Sequence, residues 1–181
     1  MSPFPTLALL CALTVSACGS TTTTLPPGTV TTAEFGDRKP FEWTGRAPQH
    51  YAVHGIDVAR FQQPLNWATA RASGVNFAFI KATEGGDFID PMFSDHWSGA
   101  GQAGVARGAY HFYYFCSSPE KQARWFIANV PKTAGMLPPV LDMEWNPFSP
   151  TCTVRPPAEV VRQHAASFLS ILKAHYGQQP I

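Results

Sequence analysis

From residue 51 the chain alternates between two hydrophobic rhythms. Short runs dense in β-branched and aromatic residues read as strands: "YAVHGIDVA", "NFAFIKATEG", "ARGAYHFYYF" and "LPPVLDMEW". Between them lie stretches with apolar residues at helical spacing. "LNWATARASG" carries a Gly stop, and "PMFSDHWSGAGQAG" follows the second strand. "SPEKQARWFIANV" opens on Ser-Pro, and "RPPAEVVRQHAASFLSILKAHYG" has Pro near its start and Gly at its end. "QQPI" then reads as the start of a fifth strand. The predicted order is β-α-β-α-β-α-β-α-(β), which calls for a parallel sheet with helices outside it. A doubly wound sheet and a barrel both fit. The segment after the first strand, "GIDVARFQQPLNW", has no G-x-G-x-x-G phosphate loop, and that tilts the choice to a barrel-like α/β fold.

Polar residues interrupt this pattern at one place on each strand. Parallel barrels carry their sites at the C-terminal strand ends. Asp57 falls there on the first strand, Lys81 and Glu84 on the second, Tyr110 and His111 on the third, and Asp142 and Glu144 on the fourth. Residues two apart on a strand share a face, so Asp142 and Glu144 project together and Met143 turns to the helices. Two neighbouring carboxylates cannot both ionise freely, so one pKa rises. A protonated acid beside an anionic one is the division of labour that glycoside hydrolysis uses. A paired acid satisfied by Arg or backbone N–H groups is the structural alternative. Among the many aromatics, Tyr110 and Trp145 lie near strand ends, where they fit a sugar-stacking wall. Trp67, on a helix, reads as core.

Composition and the N-terminal segment bear on partners and expected export without changing the fold. The chain has 181 residues, net charge +1 and 45% hydrophobic residues, enough for one core and a tail. Near-zero charge argues against a nucleic-acid partner. The six histidines show no metal-ligand spacing, and no metal or cofactor is expected. "TLALLCALTVSACGS" is an apolar run closed by small residues, an export signal over 1–18 that lacks the usual preceding Lys or Arg. "VSAC" resembles a lipobox, which makes Cys18 a lipidated residue; ordinary signal-peptidase cleavage nearby is the alternative. Residues 19–50, rich in Thr, Pro and Gly and without periodicity, read as a disordered linker, and 51–181 as the folded domain. In an exported protein Cys116 and Cys152 suit a disulfide, with two unrelated thiols as the alternative.

The segment from His54 to Ile181 resembles the glycoside hydrolase family 25 lysozymes, the Chalaropsis-type muramidases. The resemblance rests on "HGIDVARFQ" with "LNW", "FAFIKATEG", the Asp of "FIDPMF", "AGVARGAYHFYYF", "QARWFIANV", "LPPVLDMEW" and "FLSILKAHYGQQPI", in that order. It implies a TIM-like (β/α) barrel of eight strands, the first five with crossover helices, and the last strands are absent from this chain. It implies hydrolysis of the β-1,4 bond between N-acetylmuramic acid and N-acetylglucosamine in peptidoglycan. Glu144 falls on the family's general acid, Asp142 on its partner and Asp57 on the first-strand Asp. Asp142 would polarise the substrate's N-acetyl group for attack on the anomeric carbon, and a direct nucleophilic role is the other mechanism. Lys81, Glu84, Asp90, Tyr110 and His111 resemble groove residues, with Lys81 fixing a carboxylate. The expected partner is the peptidoglycan glycan strand, with membrane contact only through a lipid anchor. The protein is expected to be a monomer in the cell envelope or secreted. Since family domains continue past the fifth strand, this polypeptide alone is expected to be poorly stable or weakly active. The readings from other classes are a non-catalytic peptidoglycan-binding lipoprotein that keeps the fold, and a barrel glycosidase acting on chitin-like polymers.

Overall fold

The computed structural model describes residues 29–33, 41–62 and 64–181. The expected export signal and Cys18 lie outside these residues. The described chain forms an α/β half-barrel, a curled sheet with helices on its outer face. The strands are β1 (His54–Val58), β2 (Val75–Glu84), β3 (Phe88–Ile89), β4 (Ala106–Phe112) and β5 (Val140–Asp142). The α-helices are α1 (Trp67–Ala72), α2 (Phe93–Gln102), α3 (Pro119–Asn129) and α4 (Ala158–Tyr176). Strands β1, β2, β4 and β5 run parallel in that order, with β3 antiparallel on the end of β2. The expected parallel α/β order is therefore present, and the added β3 is a two-residue return that the sequence pattern did not reveal. The "QQPI" expectation has a structural counterpart. Ile181 N–H donates to the Pro139 carbonyl at 2.9 Å, and its own carbonyl accepts from Leu141 N–H at 2.8 Å, which is parallel pairing across Val140.

Local chemistry sets the helix ends. The Asn66 side chain accepts from Thr69 N–H at the start of α1, and the Ser118 hydroxyl accepts from Lys121 N–H ahead of Pro119 in α3. Gly177 closes α4 at φ +75°. Gly74, after α1, has φ +99°, and a Cβ there would meet the Ala33 backbone at 2.2 Å.

That contact belongs to a segment expected to be linker. Residues 29–33 dock at the base of the sheet. The Asn76 amide grips Thr31 like a neighbouring strand, accepting from its N–H at 2.7 Å and donating to its carbonyl at 2.9 Å. The Arg71 guanidinium donates to the same Asn76 oxygen at 2.6 Å and also to the Thr29 carbonyl. Residues 48–50 form a turn of 3-10 helix, and Ala47 is buried. The Thr/Pro composition hid these anchors because they are made by backbone atoms, which any residue supplies.

The core lies between the sheet and the helices. Ala78 and Ile80 of β2 and Ala109 of β4 pack outward with Phe126 of α3 and with Phe168 and Leu172 of α4. Trp67 is core, as expected. His111 also belongs here, which corrects its expected place in a substrate groove. It is fully buried, and its ring stacks on Phe168 at 5.0 Å. Gln122 Oε1 can only accept, so His111 Nε2 carries the proton in that 3.0 Å bond, and Nδ1 accepts from the Thr83 hydroxyl at 2.7 Å. Period-two alternation is the reason: Tyr110 faces the barrel interior, so its neighbour must face the helices. Burial depresses the His111 pKa from 6.5 to about 4, which keeps the ring neutral.

Cys116, after β4, and Cys152, after β5, form a disulfide with Cα atoms 5.7 Å apart. The two rim loops are thus joined across a sequence separation of 36 residues. Closing a loop of that length stabilises by about 4 kcal/mol in the chain-entropy account. Cys116→Ser with Cys152→Ser is expected to lower the melting temperature by roughly 10 °C in calorimetry. The His111 contribution has the opposite sign from a salt-bridged histidine. The unfolded chain takes up the proton first, so stability falls as pH drops from about 6.5 towards 4. Melting curves across that window should show the loss, and a His111→Gln variant that keeps its fold should show less of it.

Candidate active site

The strand register decides which side chains meet. Asp57 pairs with Phe79, and Lys81 with Tyr110, while Glu84 and Asp142 both flank Phe112. These residues face the concave side of the sheet at its C-terminal rim. An irregularity between Lys81 and Thr83 shifts the alternation by one residue. That shift brings Lys81 and Glu84, three apart, onto the same face. The four rim positions expected on Asp57, Lys81–Glu84, Tyr110 and Asp142 therefore converge.

Lys81 and Glu84 form the tightest pair. Nζ lies 2.6 Å from Oε2, both side chains are largely buried, and the ammonium sits 4.7 Å over the Phe112 ring. The Tyr114 hydroxyl donates to the other Glu84 oxygen. Burial alone would raise the Glu84 carboxyl. The hydrogen bonds from Lys81 and Tyr114, with the charges of Lys81 and Arg60, outweigh it and hold the group below its ordinary value. The carboxylate fixed by Lys81 is thus Glu84.

Asp142 is in the opposite state. Burial raises its pKa first, the charge of Glu144 raises it further, Lys81 opposes and Asp57 adds to the rise. Tyr110 is pushed far up by burial and then by Asp142, Asp57, Asp90 and Glu84, so it stays a hydrogen-bond donor at any physiological pH. Asp142, Asp57, Asp90 and Glu84 thus lie around its hydroxyl.

Glu144 differs from the expected picture. Strand β5 ends at Asp142, so Glu144 lies beyond the ladder and is exposed, though its charge still reaches Asp142. One carboxyl of the pair does rise, and it is Asp142. Trp145 is 46% exposed at the rim, and its indole N–H donates to the Thr153 carbonyl at 3.3 Å. Asp90 is buried and its oxygens face backbone: one accepts from Arg60 N–H at 3.1 Å, the other from Met92 N–H at 3.0 Å. It braces the loop after β1 against the start of α2.

Two contributors were not singled out from the sequence. Tyr114 continues the alternation Tyr110–Phe112–Tyr114, so the period-two rule that removes His111 from the site would have found it. Arg60 carried no such signal. Its charge acts on Glu84 from a loop, and its guanidinium lies 4.8 Å from the Phe61 ring and 5.1 Å from that of Phe88.

Known proteins share this fold. A Bacillus anthracis family 25 glycosyl hydrolase superposes with a TM-score of 0.67 at 36% identity, covering 74% of this chain and 60% of that one. The bacterial lysozyme from Streptomyces coelicolor gives a TM-score of 0.65 at 35% identity, covering 73% and 62%. In sequence, the uncharacterized protein YegX of Escherichia coli K12 is 36% identical over 152 residues, 81% of this chain and 53% of YegX. Lysozyme M1 of Streptomyces globisporus is 42% identical over 104 residues, 55% of this chain and 35% of the lysozyme. The chain thus spans about half the length, or less, of these curated relatives. The family model of the glycosyl hydrolases family 25 matches residues 56–181, and the chain belongs to that family.

Proposed function

We propose that this protein is a peptidoglycan hydrolase of the lysozyme type. It would cleave the β-1,4 bond between N-acetylmuramic acid and N-acetylglucosamine, with Glu144 as general acid and Asp142 assisting. The observation that carries this reading is the convergence of Asp57, Asp142 and Glu144 at one rim beside a neutral Tyr110. The similarity to lysozymes of two Streptomyces species supports it.

The roles follow from the environments. Glu144 is exposed in the free protein. A glycan strand laid along the rim would bring its leaving oxygen within reach of this carboxyl, as general-acid catalysis requires. Asp142, held half-buried between Glu144 and Asp57, accepts the N–H of the substrate's acetamido group. The acetamido oxygen then attacks the anomeric carbon as Glu144 protonates the leaving oxygen. Tyr110 donates to a sugar oxygen, and Trp145 offers a ring face for stacking. Asp57 keeps the local potential negative, which stabilises positive charge developing on the sugar ring. Export to the cell envelope, through the apolar segment at 1–18, places the domain with this substrate.

Reducing-end release from purified peptidoglycan tests the assignment. Glu144→Gln is expected to lower the rate by about 10²–10⁴-fold while binding to insoluble wall persists. Undiminished release would remove Glu144 from the acid role. Asp142 carries a second prediction. Its pKa is raised in the folded state, so its favourable contribution is complete below the ordinary carboxylate range and is lost as pH rises through the raised value. At neutral pH the ionised group opposes folding. Asp142→Asn should therefore raise the melting temperature at neutral pH while abolishing activity. The gain should vanish below about pH 3.

A further inference from the structure

Residues 29–33 lie in a stretch whose composition reads as tether, yet they are seated on the fold. The seat is made by Arg71 near the end of α1, Gly74 in the turn that follows, and Asn76 at the start of β2. Asn76 shares the parity of Ala78 and Ile80, which pack with the helices, so the seat is on the helix side of the sheet. It is built wholly from the first βαβ unit, and β4 stands between β2 and β5.

Seat and segment complete each other. The Asn76 amide accepts from Thr31 N–H and donates to the Thr31 and Gly74 carbonyls. Arg71 is only 5% exposed, and among the described residues no carboxylate pairs with it. Its guanidinium donates instead to Asn76 Oδ1 and to the Thr29 carbonyl. A buried cation stripped of such an acceptor is costly, so the seat is fully satisfied only when the segment is in place. Gly74 leaves out the side chain that would collide with Ala33. A buried guanidinium, an amide and a bare turn lined up along five residues form a built dock.

We propose that residues 29–33 are an orienting strap. They hold the lead into the domain at the N-terminal ends of the strands, opposite the acidic rim, so that a domain attached through its N-terminus turns that rim outward. The ten residues of β2 separate the two faces by about 30 Å. The strap also shortens the leash. From Cys18, the expected lipid site, an extended chain reaches at most about 40 Å to Thr29. Without the strap the next buried residue of the lead is Ala47, and the leash reaches about 100 Å. The rim enters here only as a place on the fold, so the strap stands whether or not the lysozyme reading does.

The test is a distance between strap and rim in the full chain. Nitroxide labels go on Thr29→Cys, where only the carbonyl is used, and on Phe61→Cys, 73% exposed in the loop after β1. Cys11→Ser and Cys18→Ser leave the disulfide as the sole other cysteine pair. Pulsed electron spin resonance should give one narrow distance distribution. Hydrogen exchange on the unlabelled chain should show the Thr31 amide slowed about 10²-fold relative to a free amide. Thr31→Pro removes the N–H given to Asn76 without touching the sheet. It should broaden the distribution and speed exchange at residues 32 and 33, with the exchange of β2 and β4 unchanged. Asn76→Ala should do the same from the other side, and if it fails to fold, Thr31→Pro decides alone. A broad distribution or free exchange in the unsubstituted strap overturns the proposal. So does a narrow distribution that survives Thr31→Pro.

Discussion

A single buried ammonium makes the acidic rim tolerable. Lys81 pairs with Glu84 and its charge reaches Asp142, and two half-buried carboxylates without that compensation would destabilise the rim. The strand irregularity after Lys81 is what lets it act. In a regular strand Lys81 and Glu84 would face opposite sides of the sheet. With the shift, both turn inward, and Lys81 satisfies Glu84 directly while its charge reaches Asp142. The cation is not shared evenly. Glu84 receives the hydrogen bond and ends below its ordinary value. Asp142 receives only the through-space attraction and ends above it. Lys81, with the Tyr114 hydroxyl and the Arg60 charge acting on Glu84, thus leaves one acid fixed as an anion and the other poised.

The convex side of the same strands runs the opposite chemistry. Thr83 and His111, the outward neighbours of the rim residues, are sealed under α3 and α4 in a chain of neutral hydrogen bonds that ends on Gln122. The Gln122 amide also grips the loop after β4, accepting from Tyr114 N–H and donating to the Tyr114 and Ser117 carbonyls. The inward-facing Tyr114 is therefore positioned partly by an outward-facing glutamine, and through Tyr114 so is Glu84. Packing and site are coupled by adjacent residues on opposite faces, with no long pathway required.

The sequence carried the element order, the core helices and the four rim positions, because each depends on periodicity or on the end of a strand. What it obscured has identifiable physical causes. Two adjacent polar residues, Tyr110 and His111, point to one groove by composition, but the two-residue period sends them to opposite faces. The same period puts Tyr114 on the Tyr110 face, although it lies in an aromatic run that reads as core. Glu144 was expected on a strand whose ladder stops at Asp142, and hydrogen-bond registry leaves no mark in the composition. Residues 29–33 looked like tether because their anchors are backbone groups received by Asn76 and Arg71. The Cys116–Cys152 pairing was one of two readings, and only the three-dimensional closeness of the rim loops decides between them.

The early end of β5 has a consequence for how the proposed site would work. Asp142, the last ladder residue, is held by the backbone: its carbonyl accepts from Tyr113 N–H at 2.9 Å. Glu144, two residues on, has left the ladder, but the segment is not free. Trp145 is tied to Thr153, and Thr153 to the disulfide through Cys152. Glu144, the proposed acid, is therefore held between the end of a strand and a loop tied by the disulfide. A general acid needs to follow an oxygen that moves as the bond breaks, while a group that orients the acetamide gains most from being fixed. Placing the first just outside the sheet and the second at its last hydrogen-bonded position supplies both conditions from one short stretch of chain.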